Sequence, residues 1–81
     1  MQMPRIEYSA DADAAYVYFR EGVSVAHTKN LDGVRLIDLD VNGEVIGVEL
    51  LDVSEGVNLD GLPYPDVITV LLEQQQVRVF A

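Results

Sequence analysis

The chain contains no cysteine and no tryptophan, a single histidine and only five basic residues. Each shortage excludes something. Without cysteine there are no disulfides and no thiolate metal sites, and such a chain suits a reducing cytoplasm. With His27 alone, nucleophile–base pairs have little material, and the serines at 9, 24 and 54 lie outside any nucleophile-elbow motif. The basic residues Arg5, Arg20, Lys29, Arg35 and Arg78 are scattered and face 14 acidic ones, for a formal net charge of −9. Nucleic-acid binding requires clustered Lys and Arg, so neither nucleic acid nor an anionic membrane is an expected partner. Long hydrophobic runs are missing as well. The longest, Val67-Ile68-Thr69-Val70-Leu71-Leu72, falls far short of the roughly 18 residues that suggest a membrane span. Met1-Gln2-Met3-Pro4-Arg5 carries no apolar signal-peptide segment, so a cytoplasmic protein is expected. No phosphate-binding loop or dinucleotide fingerprint is present, and no cofactor is expected.

What is there suits a small globular domain. The hydrophobic fraction is 49%, with four Tyr and two Phe, which argues against disorder. The 81 residues read as a single domain, 1–81. A chain this short buries only a modest core, so a homo-oligomer sharing apolar surface is expected. The negative field would steer a basic protein toward the chain, although solubility alone also accounts for it.

Turn signals recur through the first half at the spacing of consecutive short strands. Ile6-Glu7-Tyr8 alternates, and Ser9 to Asp13 reads as a turn. Ala14 to Phe19 reads as a second strand, with Ala15, Val17 and Phe19 on one face and Tyr16 and Tyr18 on the other. Three alanines make helix the competing reading for 11–20; Tyr-Val-Tyr-Phe decides for strand. Ser24 to Leu31, Val34 to Val41 and Glu44 to Leu51 follow as three more strands, joined by turns at Asp32-Gly33 and Asn42-Gly43. The predicted class is therefore α+β: an antiparallel meander of about five short strands over 1–51, with one C-terminal helix packed on one face. A loop covers 52–64, with a short helical turn around Val53 to Val57. The helix spans 65–76, opened by Pro65 and Asp66 and carrying apolar Tyr64, Val67, Ile68, Leu71 and Leu72 at helical spacing. Residues 77–81 alternate as a candidate edge or exchanged strand.

Asn42-Gly43, read as a type I′ turn, predicts a register: Val41 opposite Glu44, Leu39 opposite Ile46, Ile37 opposite Val48, Arg35 opposite Leu50. Ile37, Leu39, Val41, Ile46, Val48 and Leu50 then share an apolar face, while Asp38, Asp40, Gly47 and Glu49 lie on a wetter one. Gly47, opposite Asp38, reads as a close-packing site or a bulge.

The stretches Ile6-Glu7-Tyr8, Ala12-Asp13-Ala14-Ala15-Tyr16-Val17, Asp32-Gly33-Val34, Ile37-Asp38-Leu39-Asp40, Asn42-Gly43 and Val45-Ile46-Gly47-Val48-Glu49-Leu50-Leu51 occur in an order and spacing that resemble the family called domain of unknown function 2283. The resemblance covers roughly Arg5 to Val53. Ser9 departs from an often acidic position, and the stretch after Leu62 matches nothing in the family. The resemblance implies a compact β-meander with a helix and carries no established activity. Family members look like neighbours of small ribonuclease-type toxins, and some are viewed as antitoxin candidates.

A two-residue loop at Asp32-Gly33 would set His27 opposite Asp38 and gather His27, Lys29, Asp38, Asp40 and Glu49 on the wet face. A histidine beside carboxylates is material for a general base or a metal ligand. Asp38 and Asp40 would project about 6.7 Å apart, two strand steps of about 3.3 Å. Cross-strand charge pairing on a solvated face is the simpler account, since catalysis needs a water-excluding pocket. Asp11 and Asp13 read as turn-capping residues, there being too few oxygen ligands for a calcium loop. Tyr16, Tyr18, Phe19, Leu71 and Leu72 are candidates for a subunit interface. Three functions follow: an interaction module, antitoxin-like toward a basic protein encoded nearby; a weak metal-dependent or acid–base enzyme using His27, Asp38 and Asp40; and a self-assembling structural domain.

Overall fold

In a computed structural model, which describes residues 3–80, five strands form one antiparallel sheet. Met1 and Gln2 of the opening segment, and Ala81 of the candidate edge strand, lie outside the described residues. The strands are β1 (Arg5–Ser9), β2 (Ala14–Tyr18), β3 (His27–Asn30), β4 (Arg35–Leu39) and β5 (Val45–Leu51). The expected α+β class is what the structure has, but the strand order is β1-β2-β5-β4-β3. The meander runs through β3, β4 and β5, and β2 returns to lie beside β5, as in a Greek key. The reason lies in side-chain composition. Ala15 and Val17 on β2 and Val48 and Leu50 on β5 are buried, whereas all four residues of β3 are exposed. A strand of His-Thr-Lys-Asn has nothing to bury and takes the edge. The expected third strand accordingly shortens from 24–31 to His27–Asn30.

Both tight turns hold three residues rather than two. At Asn42-Gly43, the Gly43 N–H donates to the Asp40 carbonyl and the Asp40 N–H to the Glu44 carbonyl, each at 2.9 Å. Gly43 has φ 79°, so a type I turn is followed by a left-handed glycine. The Asp40 carboxylate stabilises it, its Oδ1 accepting the N–H groups of Asn42 and Glu44 at 2.9 Å. This displaces the pairing by one, placing Leu39 opposite Val45 rather than Ile46. A bulge between Asp38 and Leu39 then restores it, so Asp38–Gly47, Ile37–Val48 and Arg35–Leu50 pair as expected. Val41, expected on the apolar face, sits in the loop at 79% exposure.

At Asp32-Gly33 no bulge compensates. The Leu31 N–H donates to the Arg35 carbonyl, and Asp32 Oδ1 accepts the N–H groups of Val34 and Arg35. β3 therefore keeps a one-residue slip: His27 lies opposite Leu39 and Thr28 opposite Asp38.

Helix α1 (Pro65–Gln74) covers one face of the sheet, opening with Pro65 and Asp66 as expected. It ends two residues early, before Gln76, whose φ is 60°. Ile68 and Leu72 are fully buried and share one core with Val17, Val48 and Leu50. A 3-10 turn at Val53–Glu55 occupies the expected place. The terminal strand β7 (Val79–Phe80) pairs in parallel with β6 (Val57–Asn58), apart from the main sheet. Asp13 ties this region to the first turn: its carboxylate accepts the Ser54 N–H at 2.8 Å and the Ser54 hydroxyl at 2.6 Å. Asp13, read as a cap of the first turn, thus uses its carboxylate on a segment about forty residues later in the chain.

Candidate functional site

Side chains alternate across the pleat, so the register places Glu7, Tyr16 and Glu49 side by side on the face away from α1, with Tyr18, Gly47 and Asp38 in the neighbouring row. This open face carries a polar network. The Tyr16 hydroxyl donates to Asp38 Oδ2 at 2.5 Å, and the Thr28 hydroxyl donates to Asp38 Oδ1 at 2.7 Å. The Tyr18 hydroxyl donates to Glu7 Oε1 at 2.8 Å. Arg5 donates to Glu7 Oε2 at 3.1 Å and, through Nε and Nη2, to both Glu21 oxygens at 2.9 and 2.7 Å. Its guanidinium carbon stands 4.2 Å from the Tyr18 ring centre, and the Tyr16 and Tyr18 rings are 4.6 Å apart.

Charge and burial tune these groups. Burial first, then the bond to Asp38, pushes the Tyr16 hydroxyl well above the ordinary phenol range, so it stays protonated and remains a donor. The bonds from Tyr18 and Arg5 hold Glu7 below the usual carboxylate range. Gly47 makes the arrangement possible: a Cβ there would stand 2.4 Å from Tyr16 Cε1. Close packing was one of the two roles the sequence offered for this glycine, and the contact is with a tyrosine ring.

The residues nominated for chemistry do not meet. Asp38 is engaged by Tyr16 and Thr28. Asp40, the only buried charged residue among those described, is engaged by its own turn and by Arg20 Nη2 at 2.6 Å. His27 is exposed and, opposite Leu39, projects from the other face. The expected pairing of His27 with Asp38 is therefore corrected, and Thr28 takes its place. Lys29 faces Ile37 and leaves the wet face with His27. Among the described residues, no group of three or more His, Asp or Glu side chains is placed to hold a metal ion. Glu49 does lie on the open face, opposite Tyr16. Of the interface candidates, Tyr16 and Tyr18 are half-buried on the open face and Leu71 is half-buried. Leu72 is in the core, and Phe19 stacks on the exposed Tyr64 at 5.0 Å. Sequence reasoning missed Thr28, Glu7, Arg5 and Glu21; the alternation of β1 sets Arg5 and Glu7 on one face, and no local pattern points to Thr28 or Glu21.

Asp40 gives this region a pH signature. The Arg20 guanidinium, then the Glu44 and Asn42 N–H groups, hold its carboxylate below the ordinary range. An unfolded Asp titrates near about 3.9. The group's contribution to stability is therefore complete above about pH 4 and is lost as pH falls through its lower folded value. Thermal unfolding followed from pH 7 to pH 2.5 should show the gap between the parent chain and Asp40→Asn closing below pH 4. A gap independent of pH would exclude this role.

Fold and face together define a small α+β domain with one sheet face packed under a helix and the other left open as a polar, tyrosine-bearing surface. The chain belongs to the family described as protein of unknown function (DUF2283), which its residues 5–54 match. The match ends just beyond β5, so α1, β6 and β7 lie outside it. An uncharacterised protein of Methanocaldococcus jannaschii is 41% identical over 56 residues, 69% of this chain. The chain spans about half the length of that relative, 47% of it being covered. No solved structure matches the chain. Among the described residues, no helix is long and apolar enough to cross a membrane.

Proposed function

We propose that this chain is a non-catalytic interaction module that receives a basic protein on the open face of its sheet. The observation that carries this reading is the composition of that face: the strand carboxylates Glu7, Asp38 and Glu49 stand among two tyrosines, against the single guanidinium of Arg5. Aromatic rings beside carboxylates suit cationic side chains, and a net charge of −9 accelerates the approach of a basic partner. An antitoxin-like inhibitor of a basic toxin, encoded nearby and sharing the cytoplasm, is one form this function would take. Co-expression with the adjacent gene product tests that form: a complex that survives purification at low salt and dissociates at high salt is expected. The general reading is tested with short cationic peptides at 20 mM and 150 mM salt, and absence of binding at both would overturn it.

Self-association is a second reading. A groove of about 400 Å³ lined by Pro4, Phe19, Val45, Tyr64 and Val67 favours it, as does the exposure of Tyr64 at the start of α1. Light scattering that finds only a monomer at high concentration would remove it.

A further inference from the structure

The open face already displays one bound guanidinium. Arg5 lies over the Tyr18 ring while Glu7 and Glu21 grip its nitrogens. One row away, the same ingredients recur without a cation. Tyr16 is flanked by Glu7 on β1 and Glu49 on β5. The Glu49 carboxylate makes no hydrogen bond or ion pair among the described residues, although its charge is felt at the Tyr16 hydroxyl. Beside Tyr16 lies a shallow depression of about 220 Å³, bounded by Glu7, Ser9, Ala14, Tyr16 and Glu49. The ring is held in place by its bond to Asp38 at 2.5 Å and by the space over Gly47.

We propose that Tyr16 and Glu49 form an arginine-receiving subsite, filled by a guanidinium from an extended segment of a basic partner protein. The inference rests on the reading of the open face given above and specifies where and how the partner is held. Charge complementarity selects the occupant: with Arg5 already neutralised by Glu7 and Glu21, Asp38 and Glu49 leave this part of the sheet negative. Geometry selects the side chain. A planar guanidinium can stack on the Tyr16 ring and offer paired N–H donors to Glu49, as Arg5 does with Tyr18 and Glu21; a lysine ammonium is a point charge that satisfies only the second demand. The partner's arginine would therefore repeat an arrangement this chain builds for itself.

The test uses the whole chain and two probes, an eight-residue peptide alternating Arg and Thr and its Lys counterpart, titrated by fluorescence anisotropy at low salt. The arginine peptide is expected to bind roughly fivefold more tightly than the lysine peptide, the size of one exposed ring–cation contact. Tyr16→Leu should bring arginine binding down toward the lysine level and change lysine binding little, whereas Glu49→Gln should weaken both peptides, the arginine peptide more because its paired N–H donors lose their carboxylate. Because Tyr16→Leu also removes the bond to Asp38, Glu49→Gln at an exposed position is the decisive variant, with Glu55→Gln as a control that should change neither affinity. Equal affinities for the two peptides, or an arginine affinity that Glu49→Gln leaves unchanged, would overturn the subsite and leave the wider reading standing. Failure of both peptides to bind would overturn that reading and the subsite with it.

Discussion

Leu72→Ala is expected to destabilise the chain by about 2–5 kcal/mol, the usual cost of truncating a fully buried leucine. For 81 residues the total stability is of the order of 4–12 kcal/mol, so this one change consumes much of it. The cost is high because α1 has one narrow buried stripe. Ile68 and Leu72 have zero exposure, while Val70, on the other side of the same helix, is 55% exposed. Leu72 meets the core that Val17, Val48 and Leu50 raise from the sheet, all of them fully buried. Val70→Ala should change stability by less than about 0.5 kcal/mol. Urea unfolding separates the two: the Leu72 variant should shift its midpoint with little change in slope, and its Tm should fall by more than about 10 °C. Nearly equal losses would mean that the helix does not cover the sheet as described. The result also bears on the family, because the match ends at residue 54. The apolar face of the sheet lies within the matched region, and its cover lies outside it.

Most of this architecture could be read from the chain because each strand states its own period. β4 and β5 alternate cleanly, and the pairs Arg35–Leu50 and Ile37–Val48 fell where the alternation placed them. They did so even though the turn between them was misread. The side chain of Asp40 favours a three-residue loop, and a bulge two residues further on cancels the displacement. Sequence rules for turns weigh the central residues; here the residue before them decided the loop length. At Asp32-Gly33 the same kind of error had no bulge to cancel it, and one residue of slip moved His27 across the sheet. The candidate catalytic cluster depended on that register and dissolved with it. Strand order was hidden for a different reason. Which strands become neighbours depends on the total apolar surface each offers, and β3, with none, yields the place beside β2 to β5. The Tyr16–Asp38 bond is a consequence of that exchange, since it spans β5 from β2 to β4. No local pattern could announce it, although a glycine in the middle of the longest strand marked where something had to pass close by.

Gly47→Ala should reverse its effect on stability according to what stands at position 16. Gly47 does not have a positive φ, so its backbone accepts alanine. In a strand interior, alanine in place of glycine stabilises by roughly 0.5–1 kcal/mol through the unfolded chain. Against this stands the Tyr16 ring, with Cε1, the hydroxyl oxygen and Cζ at 2.4, 2.6 and 2.7 Å from where the new methyl would lie. The ring cannot give way freely, because its hydroxyl is bound to Asp38 and its face rests near Tyr18. Overpacking of this kind costs about 1–3 kcal/mol, which exceeds the backbone gain. Gly47→Ala in the parent chain is therefore expected to destabilise by about 1–2 kcal/mol, by the balance of those two effects. In a Tyr16→Ala background, where those three ring atoms are gone, the same substitution should stabilise by about 0.5–1 kcal/mol. The double-mutant cycle should yield a coupling of roughly 2 kcal/mol, within the range for residues in direct contact. The same sign in both backgrounds would show that Tyr16 does not lie over Gly47. A sign reversal would fix the ring's position independently of any binding measurement, and the arginine preference should then disappear in Gly47→Ala even though every carboxylate of the open face remains.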